Sequence, residues 1–271
     1  MKKILLAAVA ALMSILIVAA SDYLKYIELA DEAVAKQQWD RAEELLRAAM
    51  QSEPSNPQNV MLLSNVGMFQ YYRGEDSLAL HTLSEARAMA PASTVILKNR
   101  ASVLRGMGRE DDALKDYDKV IEMDSVNYDA YFNRGYIRLT RGDSVGAKVD
   151  FDILERLRPD DPNTLLVLAV MHSNQGKYDE AISYYNRLIK KVEKAEYYTG
   201  RAMCRLAKGD LSEASDDIVR GLELDPEDGE LYLCRAYLHH LQYRDEDARA
   251  AAAMAVRYGV PQERIDEIFM Q

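Results

Sequence analysis

The chain has 271 residues, 48% hydrophobic and 29% charged, the proportions of a folded globular protein with room for one or two domains. Its formal net charge is -10, and no Lys/Arg-rich block follows the Lys2–Lys3 pair. Nucleic acid is therefore excluded as a partner, because affinity for a polyanion comes from clustered cations that displace counterions. Two cysteines are too few for a disulfide-dependent scaffold.

Lys2 and Lys3 open onto an uncharged run from Ile4 to Ala20, which leaves through the small residues Val18-Ala19-Ala20. A basic start, an apolar centre and a small-residue exit make residues 1–20 a secretory signal peptide with cleavage after Ala20. As a helix the run would reach about 26 Å, marginal against a hydrocarbon core of roughly 30 Å. The expectation is export, to a periplasm or the medium, with no membrane span in the mature chain. The alternative is an uncleaved N-terminal anchor. No cysteine follows the run, so a lipoprotein anchor is not supported. Removing both lysines brings the charge to -12.

Beyond residue 21 the chain repeats itself. Ala42, Ala79, Ala113, Ala147, Ala181, Ala214 and Ala248 are spaced by 37, 34, 34, 34, 33 and 34 residues. Twelve residues before each stands Ala30, Gly67, Ala101, Gly135, Ala169, Ala202 or Ala236, always small, as close helix crossings require. Five before, the middle five repeats carry Gly74, Gly108, Gly142, Gly176 and Gly209, suited to a tight left-handed turn between helices. Sixteen before, the residue is apolar or aromatic, from Tyr26 and Leu63 to Tyr198 and Tyr232. Four after come Leu46, Leu83, Tyr117, Phe151, Tyr185 and Ile218, at the spacing of a buried helix face. All seven prolines fall outside helix interiors. Asp210-Leu-Ser-Glu213 has the form of a capping box.

This register, seen best in Asn133-Arg-Gly-Tyr-Ile-Arg-Leu-Thr-Arg-Gly142 and Gly176-Lys-Tyr-Asp-Glu-Ala181, resembles the tetratricopeptide repeat family from about residue 22 to the C-terminus. The resemblance implies an all-α fold: a right-handed α-solenoid of about seven helix-turn-helix repeats. Their expected bounds are 23–56, 60–93, 94–127, 128–161, 162–194, 195–228 and 229–261, within a solenoid of residues 21–261. Pro57-Gln58-Asn59 lengthens the first inter-repeat turn. The last repeat replaces its bulky residue by alanine in the run Ala250–Ala253. Residues 262–271 are expected to form a capping helix with Ile265, Ile268 and Phe269 on one face, covering the open end. The first repeat, with Trp39, offers its outer face for contact.

In such proteins ligand peptides usually lie on the concave face, lined by the first helix of each pair. Asn65, Asn99 and Asn133 recur fourteen residues before their alanines, and an amide can donate to and accept from an extended backbone. Around them stand Met61, Met68, Tyr71, Tyr72, Phe132 and Tyr136, with Lys98 and Arg105 between. Such a groove suits a partly apolar, partly acidic peptide, although aromatics at helical spacing are often core. One subtype of the family grips a C-terminal carboxylate with Lys, Asn and Arg. Here Lys98 adjoins Asn99, but Ser102 stands where a second Asn is wanted, and that function is not carried over.

Catalytic patterns are missing: no HExxH, GxSxG, P-loop or glycine-rich phosphate cradle occurs. His239 and His240 are neighbours that point about 100° apart on a helix, and no metal set or cofactor is expected. Asp111-Asp112, Asp160-Asp161 and Asp216-Asp217 are assigned to turns or solvated helix faces. Cys204 and Cys234 read as small buried hydrophobes, with a disulfide allowed by export. The leading function is a non-enzymatic binding or adaptor protein that holds a protein or peptide. The alternative is a structural envelope component that self-associates or docks through its ends. An enzyme with an unrecognised site comes third, and the sequence leaves the oligomeric state open.

Overall fold

The computed structural model describes residues 22–269. The expected signal peptide and anchor lie outside them. The described chain is helical throughout, in consecutive pairs: α1 (residues 22–35) with α2 (Trp39–Ser52), α3 (Asn59–Tyr72) with α4 (Asp76–Met89), α5 (Thr94–Gly106) with α6 (Glu110–Met123), and α7 (Tyr128–Thr140) with α8 (Ser144–Leu157). There follow α9 (Pro162–Asn174) with α10 (Tyr178–Lys191), α11 (Ala195–Lys208) with α12 (Leu211–Leu224), α13 (Gly229–Leu241) with α14 (Asp245–Arg257), and the short α15 (Gln262–Phe269). The chain divides into two compact units, Met1–Arg134 and Gly135–Gln271, with the division inside α7.

Small residues decide where helices meet. All seven key alanines are fully buried, and so, within a percent of exposure, are Ala30, Ala101, Ala169, Ala202 and Ala236. At Gly67 an added Cβ would lie 2.7 Å from Leu83 Cγ, and at Gly135 it would lie 2.5 Å from the Phe151 ring. The bulky residue of each second helix therefore enters the space its partner helix leaves open. Burying each such side chain contributes about 1.5–3 kcal/mol.

The turn inside each pair is left-handed at one fixed position. Gly74, Gly108, Gly142, Gly176 and Gly209 have φ of 70–84°, and a Cβ there would meet nothing, so conformation alone selects glycine. The first and last pairs place Gln37 (φ 55°) and Tyr243 (φ 57°) at that position, the only described non-glycine residues with positive φ. A side chain in this region costs about 1–2 kcal/mol, partly offset because glycine is freer when unfolded. Tyr243→Gly and Gln37→Gly are accordingly expected to raise stability by about 0.5–1 kcal/mol each, and Gly142→Ala to lower it by about 1 kcal/mol. Urea midpoints check this, and a Tyr243→Gly variant less stable than wild type would contradict it.

Local details differ from the sequence reading in one place and extend it in two. Asp210 is the residue before α12 but its side chain caps nothing; its carboxylate faces Lys208 Nζ at 3.2 Å, so the capping box does not form. Asp161 does cap α9, its Oδ1 accepting from Asn163 N at 2.9 Å and Thr164 N at 3.3 Å, with Pro162 as first helical residue. The lengthened turn before α3 is tied by buried Asn59, whose Nδ2 donates to the Glu53 carbonyl at 2.8 Å.

In the C-terminal unit α15 packs on α13 and α14: Ile265 is buried among Leu233, Ala252 and Ala255, Ile268 is half-buried, and Arg264 pairs with Glu230. Phe269 stays partly exposed, its ring edge-on to His240 at 5.3 Å. The alanine run on α14 leaves a trough of about 440 Å³ between α14 and α15.

Candidate functional site

The first helices of the N-terminal unit present the side chains singled out above. α3 carries no charged residue at all. Asn65 is exposed, and Tyr72 is 54% exposed, its ring centroid 5.0 Å from that of Trp39, which also stacks on Phe69 at 5.8 Å. Met68 and Tyr71 are half-buried against Leu83 and Val103. Tyr71 is held there because its hydroxyl fills the space beside Gly106, where a Cβ would lie 2.3 Å from it. Met68 and Tyr71 thus belong largely to packing, whereas Asn65 and Tyr72 face outward.

The three asparagines share a register without sharing a role. Asn99 on α5 is half-buried and donates from Nδ2 to Ser64 Oγ of α3 at 3.0 Å. Asn133 turns back on its own helix, Nδ2 donating to the Asp129 carbonyl at 2.8 Å. Only Asn65 stands exposed, so three free amides do not line up. Lys98 Nζ pairs with Asp129 Oδ2 at 2.6 Å, linking α5 to α7, while Arg105 is exposed at the end of α5. Phe132 is half-buried and stacks on Tyr128 at 6.3 Å. Tyr136, on the same helix but beyond the division, is 43% exposed. Side-chain links from Ser64 to Asn99 and from Lys98 to Asp129 thus set three first helices side by side, and Arg105 is the cation left outward.

A second set of polar residues escaped the sequence reading. Asp116, Asp150 and Asp217 are almost wholly buried, each three residues after its key alanine. Asp216-Asp217 was assigned to solvated surface, and for Asp217 this is corrected. Arg201 grips it from Nε at 3.0 Å and Nη2 at 2.6 Å, and Arg205 adds Nη1 at 2.6 Å. Arg100 forks onto Asp116 at 2.7 and 2.6 Å, and Arg138 Nη1 meets Asp150 at 2.8 Å. Each clasp joins the two helices of one pair. In the second pair a neutral version stands at the same position, Thr82 Oγ1 donating to Gln70 Oε1 at 2.8 Å. The signal was available: the 34-residue register puts all three aspartates on the buried face. In two pairs a half-buried histidine, His172 or His239, occupies the place of Arg138 and Arg205, and burial lowers the pKa of both.

Cys204 and Cys234 are both buried free thiols. Cys204 lies among Leu165, Tyr185 and Tyr197, and Cys234 beside Ala202, Leu206 and Ile218. No disulfide joins them, and burial raises the pKa of each thiol, keeping it protonated. Among the described residues no helix is long and apolar enough to cross a membrane.

Comparison with known proteins agrees with this architecture. A tetratricopeptide repeat family model matches residues 98–162, 147–196 and 166–222. The chain is 29% identical to a tetratricopeptide repeat protein from Parabacteroides merdae, whose crystal structure superposes with a TM-score of 0.71 over 92% of this chain and 97% of that one. Among curated proteins it is 27% identical to a tetratricopeptide repeat and J domain-containing co-chaperone of Fusarium oxysporum, covering 58% of this chain and 32% of the relative. It is likewise 27% identical to the Hsp70-Hsp90 organizing protein of Triticum aestivum, covering 59% of this chain and 34% of that one. The chain thus spans about a third of the length of these curated relatives. The segments matched by the tetratricopeptide repeat model together run from residue 98 to residue 222, and the helix pairs on either side of them carry the same small-residue register.

Proposed function

We propose that this chain is a non-enzymatic binding module that holds an extended peptide or protein segment on the first-helix face of its N-terminal unit, and that it acts after export. The observation that carries the reading is the uncharged α3 set beside α5. There Asn65 and Tyr72 face outward, and Arg105 is a cation at the edge. An exposed amide can donate to and accept from a passing backbone, an aromatic gives contact area, and a single cation selects an acidic residue at one position. A relative in fold, YrrB, is described as a tetratricopeptide repeat protein with a peptide-binding site; at 19% identity and a TM-score of 0.55 it supports the fold comparison. Export rests on the sequence of residues 1–20.

Selection from a random peptide library against residues 22–271 tests the site. Selected peptides should be enriched in one acidic position and in apolar residues. An Asn65→Ala/Tyr72→Ala variant should lose affinity roughly tenfold or more, and Arg105→Glu should remove the acidic preference. Peptides that bind the variants as tightly as wild type would reject this face. Localisation is tested separately by fractionating cells that express the full chain, with retention in the cytoplasm rejecting export.

A further inference from the structure

A cavity of about 280 Å³ lies between α4, α5 and α6 of the N-terminal unit, lined by none of the first-helix residues named for peptide binding. Its polar wall holds four cations: Arg87 from α4, Arg100 from α5, and Arg109 and Lys115 at the start and second turn of α6. Only two carboxylates face them. Asp116, buried at the base, takes both Nε and Nη2 of Arg100, and Asp112 is shared by Arg109 at 2.7 Å and Lys115 at 2.9 Å. Glu110 and Asp111 on the same first turn of α6 do not line the cavity. Arg87, half-buried in the last turn of α4, forms no ion pair among the described residues. Two positive charges are therefore left over in a walled site of a chain whose formal charge is -10. Leu80 and Leu104 supply an apolar wall beside them.

An anion that enters here meets the unpaired guanidinium of Arg87, while Arg100 is already held in place by Asp116 and needs no ordering on binding. A phosphate monoester carries about -1.5 to -2 at neutral pH with three acceptor oxygens, which matches the surplus charge and the forked donors. A single carboxylate would leave half the surplus uncompensated, and a dicarboxylate divides its charge between two separated ends, whereas a phosphate monoester concentrates it on one group. We propose that this cavity is a binding site for a phosphate monoester on a short apolar or aromatic stem, with Arg87 as its principal ligand.

Calorimetric titration of the full chain with phenyl phosphate, with a short phosphoserine peptide and with succinate tests this. Phenyl phosphate should bind saturably. Arg87→Gln should weaken it roughly tenfold, Arg87→Lys by less because the charge stays and the fork is lost, and Arg220→Gln in the other unit not at all. Circular dichroism should find Arg87→Gln folded, since no ion pair is broken. A phosphopeptide that binds more tightly than phenyl phosphate identifies a phosphorylated side chain as the source, and equal affinity identifies a small metabolite. Absence of saturation at about 10 mM phenyl phosphate, undiminished binding in Arg87→Gln, or succinate bound as tightly would overturn the assignment.

Discussion

Replacing Asp217 by alanine is expected to cost about 3 kcal/mol or more of stability, among the largest effects of any single polar substitution in the chain. The carboxylate is 2% exposed and accepts from both Arg201 and Arg205, whose side chains are only 14% and 18% exposed. Without it, two guanidinium groups are left facing each other in a site nearly shut off from water, and neither can be neutralised by losing its proton. The comparison is Glu44→Ala, which breaks the surface pair with Arg41, where the two side chains are 67% and 59% exposed. That change should cost less than about 1 kcal/mol, because water and salt already screen it. Urea denaturation of both variants, followed by circular dichroism, measures the difference. A loss in Asp217→Ala no larger than in Glu44→Ala would show that the clasp adds nothing. Removing the whole clasp, as Asp217→Leu with Arg201→Met and Arg205→Met, should recover much of the loss, since no buried charge is then unpaired.

Phe151→Ala should cost about 3–5 kcal/mol, for an apolar reason. The ring is fully buried on α8 and occupies the space left by Gly135 on α7. Truncating it removes transfer energy and opens a cavity that two helices held by the Arg138–Asp150 clasp cannot readily close. The reciprocal change, Gly135→Ala, places a methyl 2.5 Å from the ring and 3.0 Å from Asp150 Cβ, and overpacking should cost about 1–3 kcal/mol. Because the two residues share one space, Gly135→Ala in the Phe151→Ala background should cost little. A double-mutant cycle measures this, and additive losses would mean that ring and glycine are independent.

The same pair of sites shows what could be read in advance and what could not. Alternation of small and large residues at a fixed period announced the helix pairs, their turns and the buried positions from Leu46 to Ile218. Each of these is a local requirement that a residue type answers directly: left-handed backbone for glycine, close crossing for alanine, filled space for a large apolar side chain. The polar positions were harder. Asp217 looked like surface because an acidic pair normally is, and its burial depends on arginines sixteen and twelve residues earlier in the chain. The asparagines looked alike because their register is alike. Whether an amide is free depends on what the neighbouring helix offers, Ser64 for Asn99 and a backbone carbonyl for Asn133.

The sequence by itself therefore determined the repeat, the helix pairing and the left-handed turns, since periodicity constrains the backbone and the apolar faces through short-range geometry alone. Only the tertiary structure decided which carboxylates are clasped inside a pair, that Tyr71 packs against Gly106 while Tyr72 faces outward, and that Arg87 is left without a carboxylate beside a cavity. Those outcomes follow from side chains of different helices competing for the same few partners, and a period records positions but not the winners of that competition.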